Sequence, residues 1–230
     1  VMNKTIIKNS SYIPQVKICG LTRVDEAMQC AELGPDAIGL VFFEKSTRNI
    51  TIEKAKEISL NLPKNISTIG VFVNQPLGYI MERVEKCSLD AVQLHGMEPP
   101  DLVNQLMELD LIVIKCLYVD SRPFLKDVSE YNATAYLVEC AKGILPGGNA
   151  LSWNWARVKD FGINHPFILA GGLKPENIKE AIHKSLPHAV DVSSGVEKAP
   201  GRKDMAKIKA FIKAVSKSSI KGKNNLRRIF

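Results

Sequence analysis

Eight short runs of apolar and β-branched residues punctuate the chain: VKICG from residue 16, AIGLVFF from 37, TIGVFVN from 68, AVQLHG from 91, IVIKCLYV from 112, AYLVEC from 135, PFILAG from 166 and AVDVSSG from 189. Each is nearly continuous in apolar character rather than alternating, which is the pattern of strands buried on both faces. Their starts lie 21 to 31 residues apart, room for one crossover helix and two loops, so neighbouring strands must run parallel. The intervening segments carry helical spacing, as at Val24, Ala27, Met28 and Ala31, and at Ile178, Ala181 and Ile182 with Pro175 set for a first turn. Eight such units predict an α/β fold, a single (βα)8 TIM barrel around a parallel eight-stranded core. Cys30, within the first helix, reads as packing.

Composition agrees with one domain. With 230 residues, 45% of them apolar, the chain buries a core that needs no disulfide or metal. The five cysteines are scattered, with no CxxC pair and no cysteine-histidine cluster of zinc-binding spacing, so free thiols in a cytoplasmic, reducing setting are expected. The first fifteen residues are too polar for a signal-peptide core, and no run is long enough to span a membrane. The formal charge is +7, but the last fourteen residues hold five Lys or Arg and no acid. The rest is only mildly basic, which speaks against nucleic acid as the partner. Residues 1–15 are therefore read as an extension, 16–217 as the barrel, and 218–230 as a basic, solvated and partly disordered tail.

Barrels keep their chemistry on the loops that follow the strands. The two longest connections follow strands two and six, around EKSTRNIT and AKGILPGGNALSW. After strands seven and eight stand Gly171 and Gly172, then Ser193, Ser194 and Gly195, small residues that let backbone N–H groups and hydroxyls close on a phosphate. Cys19 ends strand one and Glu139 ends strand six, so a thiol and a carboxyl face the mouth from different sides, as a base and an acid require. Lys17 either assists the thiol or is a buried ammonium paired with Asp191, which points inward by strand alternation.

The segments KICGLT, GLVFFEKSTR, IGVFVN, VQLHG, LAGGLKPENI and VDVSSGVE with PGRKD together resemble the phosphoribosylanthranilate isomerases of tryptophan biosynthesis, from about Val16 to Phe211. The resemblance implies an Amadori rearrangement of N-(5-phosphoribosyl)anthranilate to 1-(o-carboxyphenylamino)-1-deoxyribulose 5-phosphate, with neither cofactor nor metal. It makes Cys19 the general base and Glu139, at the position of a family aspartate, the general acid. Arg48 matches an arginine that meets the anthranilate carboxylate, for which a planar guanidinium is suited. His95 becomes a substrate contact, with Gln93 lining the barrel beside it, and Gly171, Gly172, Ser193, Ser194 and Gly195 hold the phosphate. His165, His183 and His188 receive no role.

Two positions depart from the family pattern, Glu139 for aspartate and GGNA at 147–150 for a GG[TS]G turn. A glutamate keeps the carboxyl but adds a methylene, and misplacement of about 1 Å costs roughly a hundredfold in rate. The alternatives are another phosphosugar isomerase or epimerase, against which KICG and EKSTR argue, and a degenerated barrel that binds phosphorylated ligand without turnover. The expected partner is a small molecule, with no nucleic acid and no membrane, and the chain is compatible with a monomer or a homodimer.

Overall fold

A computed structural model of the chain describes residues 11–140, 153–221 and 228–230. Eight parallel strands close into a barrel in chain order: β1 Gln15–Cys19, β2 Ala37–Phe42, β3 Ser67–Phe72, β4 Ala91–Leu94, β5 Ile112–Tyr118, β6 Ala135–Glu139, β7 Phe167–Leu169 and β8 Ala189–Val192. Every strand begins within one residue of its apolar run, because both faces are buried and the run ends where burial ends. Ile69, Ala91, Ile114, Leu137, Ile168 and Ala189 fill the barrel interior. Their alternates, such as Ile18, Leu40, Val92, Val113, Leu169 and Val190, pack outward beneath the helices.

The surrounding helices are α1 Val24–Glu32, α2 Ile52–Asn61, α3 Leu77–Cys87, α4 Pro100–Glu108, the short α5 Phe161–Asn164, α6 Ile178–Ser185 and α7 Met205–Ser216. Capping follows the sequence: Asp204 accepts from the Ala206 and Lys207 N–H groups at the start of α7. Cys30 is fully buried, as packing requires. Two expectations need correction. No α-helix connects β5 to β6, only the 3-10 turn Leu125–Glu130, where Asp127 accepts from the Phe124 N–H and Pro123 precedes. Pro175 lies in a turn before α6, because the Asn177 side chain accepts from the Lys174 N–H and donates to the Gly172 carbonyl. Among the described residues no helix is long and apolar enough to cross a membrane.

The end of the basic tail is not solvated. Ile229 is buried and packs on the interior cluster, with Phe230 against it. Gln15 holds both: its Oε1 accepts from the Ile229 N–H at 2.6 Å and its Nε2 donates to the Phe230 carbonyl at 2.9 Å. Arg228 pairs with Asp36 at 2.8 Å. An antiparallel ribbon, Ser11–Tyr12 with Ile220–Lys221, ties the segment before β1 to the segment after α7. The basic composition hid an apolar Ile-Phe pair that covers the N-terminal opening of the barrel.

Candidate active site

At the opposite end, Cys19, Val41, Arg48, Gln93, His95 and Glu139 line one cleft with about 660 Å³ of empty space, including its open side. A second hollow, lined by Gly171, Gly172, Ser193, Ser194 and Gly195, adjoins it, and Glu139, Asp191 and Ser193 belong to both walls. All twelve residues singled out in the sequence are thus near this mouth, Lys17 just beneath it. His165 and His188 lie at the other ends of β7 and β8, and His183 lies in α6.

Cys19 closes β1 opposite Gly39 of β2. A Cβ at residue 39 would stand 2.7 Å from the Cys19 Sγ and 3.1 Å from the Lys17 Nζ, so the missing side chain makes the space that both groups use. Lys17 is completely buried, 3.1 Å from Asp191 Oδ1. Burial opposes its charge, but Asp191 and Cys19 outweigh that and raise its pKa. The ion pair with Asp191 is the buried-ammonium arrangement, and Lys17 lies in the same space as the Cys19 thiol. The Ser193 hydroxyl donates to the Cys19 carbonyl at 3.0 Å, joining β1 to the loop after β8.

Arg48 is held by a residue that the sequence left without a role. Its Nε and Nη2 donate to Glu197 at 2.8 and 2.7 Å. Glu197 also takes the fully buried Lys203 ammonium at 2.9 Å, and Lys203 donates to the Ser193 carbonyl at 3.2 Å. Burial works against the Glu197 carboxylate, yet Arg48 and Lys203 prevail and hold its pKa below the usual range. One edge of the Arg48 fork is thereby occupied. Among the described residues its Nη1 N–H groups and the second Nη2 N–H have no partner, and they are the donors a ligand would meet. The signal was the SGVE and PGRKD motif itself, but only the fold brings residue 197 to residue 48.

On the far wall His95 follows β4. Its Nδ1 is 3.0 Å from the Gln93 amide and its Nε2 is 3.6 Å from Glu139 Oε2; the Tyr118 hydroxyl donates to its backbone carbonyl at 3.0 Å. Burial disfavours the imidazolium, but Cys116 and Glu139 prevail and His95's pKa is raised well above the ordinary value. An imidazolium donates from both nitrogens, so the Gln93 amide is best satisfied with its carbonyl oxygen toward Nδ1. The loop carrying His95 is fixed from outside the barrel: Glu98 accepts from the Gly96 and Asn74 N–H groups and binds the buried Lys115 ammonium at 2.6 Å, and Lys115 also donates to the Gly96 carbonyl at 2.9 Å. Nothing in the sequence pairs a strand lysine with a loop glutamate.

The hollow beyond is made of backbone. Gly171 and Gly172 adopt φ of +85° and +67°, which only glycine takes without strain. A Cβ on Gly195 would collide with the Leu173 carbonyl. Trp153 Nε1 donates to the Ala170 carbonyl at 3.2 Å, bracing the turn. The GGNA segment at 147–150 lies outside the described residues.

A family model for N-(5'-phosphoribosyl)anthranilate (PRA) isomerase matches residues 16–214. The N-(5'-phosphoribosyl)anthranilate isomerase of Desulfatibacillum aliphaticivorans is 46% identical over 206 residues, 90% of this chain and 94% of that protein. The crystal structure of the isomerase from Thermotoga maritima superposes with a TM-score of 0.82 at 38% identity, covering 89% of this chain and 99% of that one. A structure of the enzyme in complex with reduced 1-(o-carboxyphenylamino)-1-deoxyribulose 5-phosphate gives 0.79 at 37% identity, with the same coverage of both chains. The terminal ribbon and the Ile229 plug lie beyond the matched span. Over nearly all of its barrel, therefore, this chain belongs to the N-(5'-phosphoribosyl)anthranilate isomerase family.

Proposed function

We propose that the chain converts N-(5-phosphoribosyl)anthranilate to 1-(o-carboxyphenylamino)-1-deoxyribulose 5-phosphate in tryptophan biosynthesis, with Cys19 as general base and Glu139 as general acid. The observation that carries this is the single cleft lined by both residues and continuous with the glycine and serine hollow. Gly171, Gly172, Ser193, Ser194 and Gly195 present backbone N–H groups and hydroxyls to the substrate phosphate. The open edge of Arg48, oriented by Glu197, meets the anthranilate carboxylate. His95 and Gln93 line the wall between them.

Glu139 protonates the furanose ring oxygen as the bond from that oxygen to C1 breaks, leaving an iminium between C1 and the anthranilate nitrogen. Cys19 as thiolate then takes the C2 proton, and the electron pair moves to neutralise the iminium as an enolamine. Protonation at C1 with loss of the enol proton yields the C2 ketone. Hydrogen has moved from C2 to C1 within one molecule, so electrons balance without an external acceptor. Lys17 holds positive charge beneath the thiol throughout. The five free thiols suit a reducing cytoplasm.

The test is the fluorescence decay of freshly prepared phosphoribosylanthranilate. The unaltered protein is expected to turn over, and Cys19→Ala to lose about a thousandfold in kcat while still binding a reduced product analogue. An unaltered protein that binds the analogue without turnover would overturn the assignment.

A further inference from the structure

One buried nucleophile at the mouth has no part in the scheme above. Cys116, on the inward face of β5, is completely buried, and its Sγ, a ring nitrogen of His95 and a Glu139 oxygen all lie within 4.8 Å of one another. The three come from consecutive strands, His95 just after β4, Cys116 within β5 and Glu139 at the end of β6, so the barrel fixes their spacing. The sequence separates them by 21 and 23 residues, which is why no metal-ligand spacing was visible there.

A second observation points to a ligand. His95 is buried, and among the described residues its Nε2 has no hydrogen-bond partner; at 3.6 Å its approach to Glu139 is too long to be one. Its other nitrogen is oriented by Gln93, the arrangement by which outer partners aim a ligating imidazole. Thiolate, imidazole and carboxylate together suit zinc, cobalt(II) or cadmium, whereas magnesium and calcium take oxygen ligands. Bonds of about 2.0–2.3 Å need the three atoms to close by roughly an ångström, within reach of side-chain rotation. His95 and Glu139 also face the cleft, which leaves a fourth position open.

We propose that His95, Cys116 and Glu139 bind a zinc-class divalent ion, and that its occupancy reversibly inhibits the isomerase. Binding displaces the thiol proton of Cys116 and any proton on His95 to solvent. The inhibitory half rests on Glu139 being the acid: a carboxylate coordinated to the ion has no proton to give.

Cobalt(II) titrated into the purified full chain is expected to bind once per chain with a thiolate-to-metal charge-transfer band. That band is lost in Cys116→Ser and kept in Cys19→Ala. Zinc is expected to lower the isomerase rate at least tenfold, with recovery on adding EDTA, and Cys116→Ser to keep the uninhibited rate while needing at least tenfold more zinc. X-ray absorption of the zinc-loaded unaltered protein, which does not depend on a variant folding, should show one sulfur at about 2.3 Å with nitrogen and oxygen neighbours. A band that survives in Cys116→Ser, or zinc without a sulfur neighbour, overturns the site. Binding without inhibition overturns the inhibitory half and counts against Glu139 as the acid. A protein with no isomerase activity refutes the proposed function, and the cobalt band still decides the site.

Discussion

The two ends of this barrel are closed in opposite ways. At the floor an apolar plug, Ile229 with Phe230, is held to Gln15 by hydrogen bonds, and the Arg228–Asp36 ion pair beside it sits at the surface. At the mouth Lys17, Asp191, Lys203 and Glu197 are buried charges arranged around a thiol. Apolar burial adds stability at little risk, while buried charges are costly unless every partner is present. Charge is therefore kept where positioning a substrate requires it, and the floor is left to packing.

Altering the mouth should cost activity first, and altering the floor stability alone. Among substitutions that leave the proposed acid and base in place, the largest effect is expected from Gly39→Ala, whose methyl would meet Cys19 Sγ at 2.7 Å. Displacing the thiol by about an ångström should lower kcat roughly a hundredfold, read by the same fluorescence decay, with an overpacking cost of about 1–3 kcal/mol. Glu197→Gln removes the charge that Arg48 and Lys203 share; calorimetry should show a loss of about 3 kcal/mol, and KM should rise more than kcat falls because Arg48 loses its orientation. Ile229→Ala should cost about 2–3 kcal/mol and leave kcat/KM unchanged. A loss of turnover there would show that the two ends are coupled.

The smallest effect concerns pH. His95's pKa is raised on folding by Cys116 and Glu139 despite burial, so the folded state binds its proton more tightly than the unfolded chain. Its contribution to stability is complete below about pH 6.5 and is lost as pH rises through the folded value. His95→Gln should flatten the fall in melting temperature on the alkaline side of pH 6.5. An identical slope in both proteins would place the proton elsewhere.

Most of the frame was legible because a parallel barrel strand is buried on both faces and announces itself as an apolar run. Cys19, Glu139 and the glycine and serine loops were legible because they end such runs. What escaped depended on register between distant segments. Gly39 looks like any strand glycine until Cys19 is set beside it, and Lys115 looks like a strand-edge lysine until Glu98 folds back over it. The tail misled by composition: its charges outnumber the two apolar residues that dock. The helix missing after β5 could not be read from spacing, because that connection is as long, start to start, as those that hold α3 and α6; the local signals were Pro123 and the Asp127 cap.

The central claim is that a glutamate performs the acid step in this cleft, and steady-state kinetics of Glu139→Gln beside Glu139→Asp test it most directly. The account predicts that Glu139→Gln loses at least about a hundredfold in kcat with KM little changed, while Glu139→Asp, which keeps the carboxyl, retains more activity than the amide. A Glu139→Gln enzyme as fast as the unaltered one would contradict it.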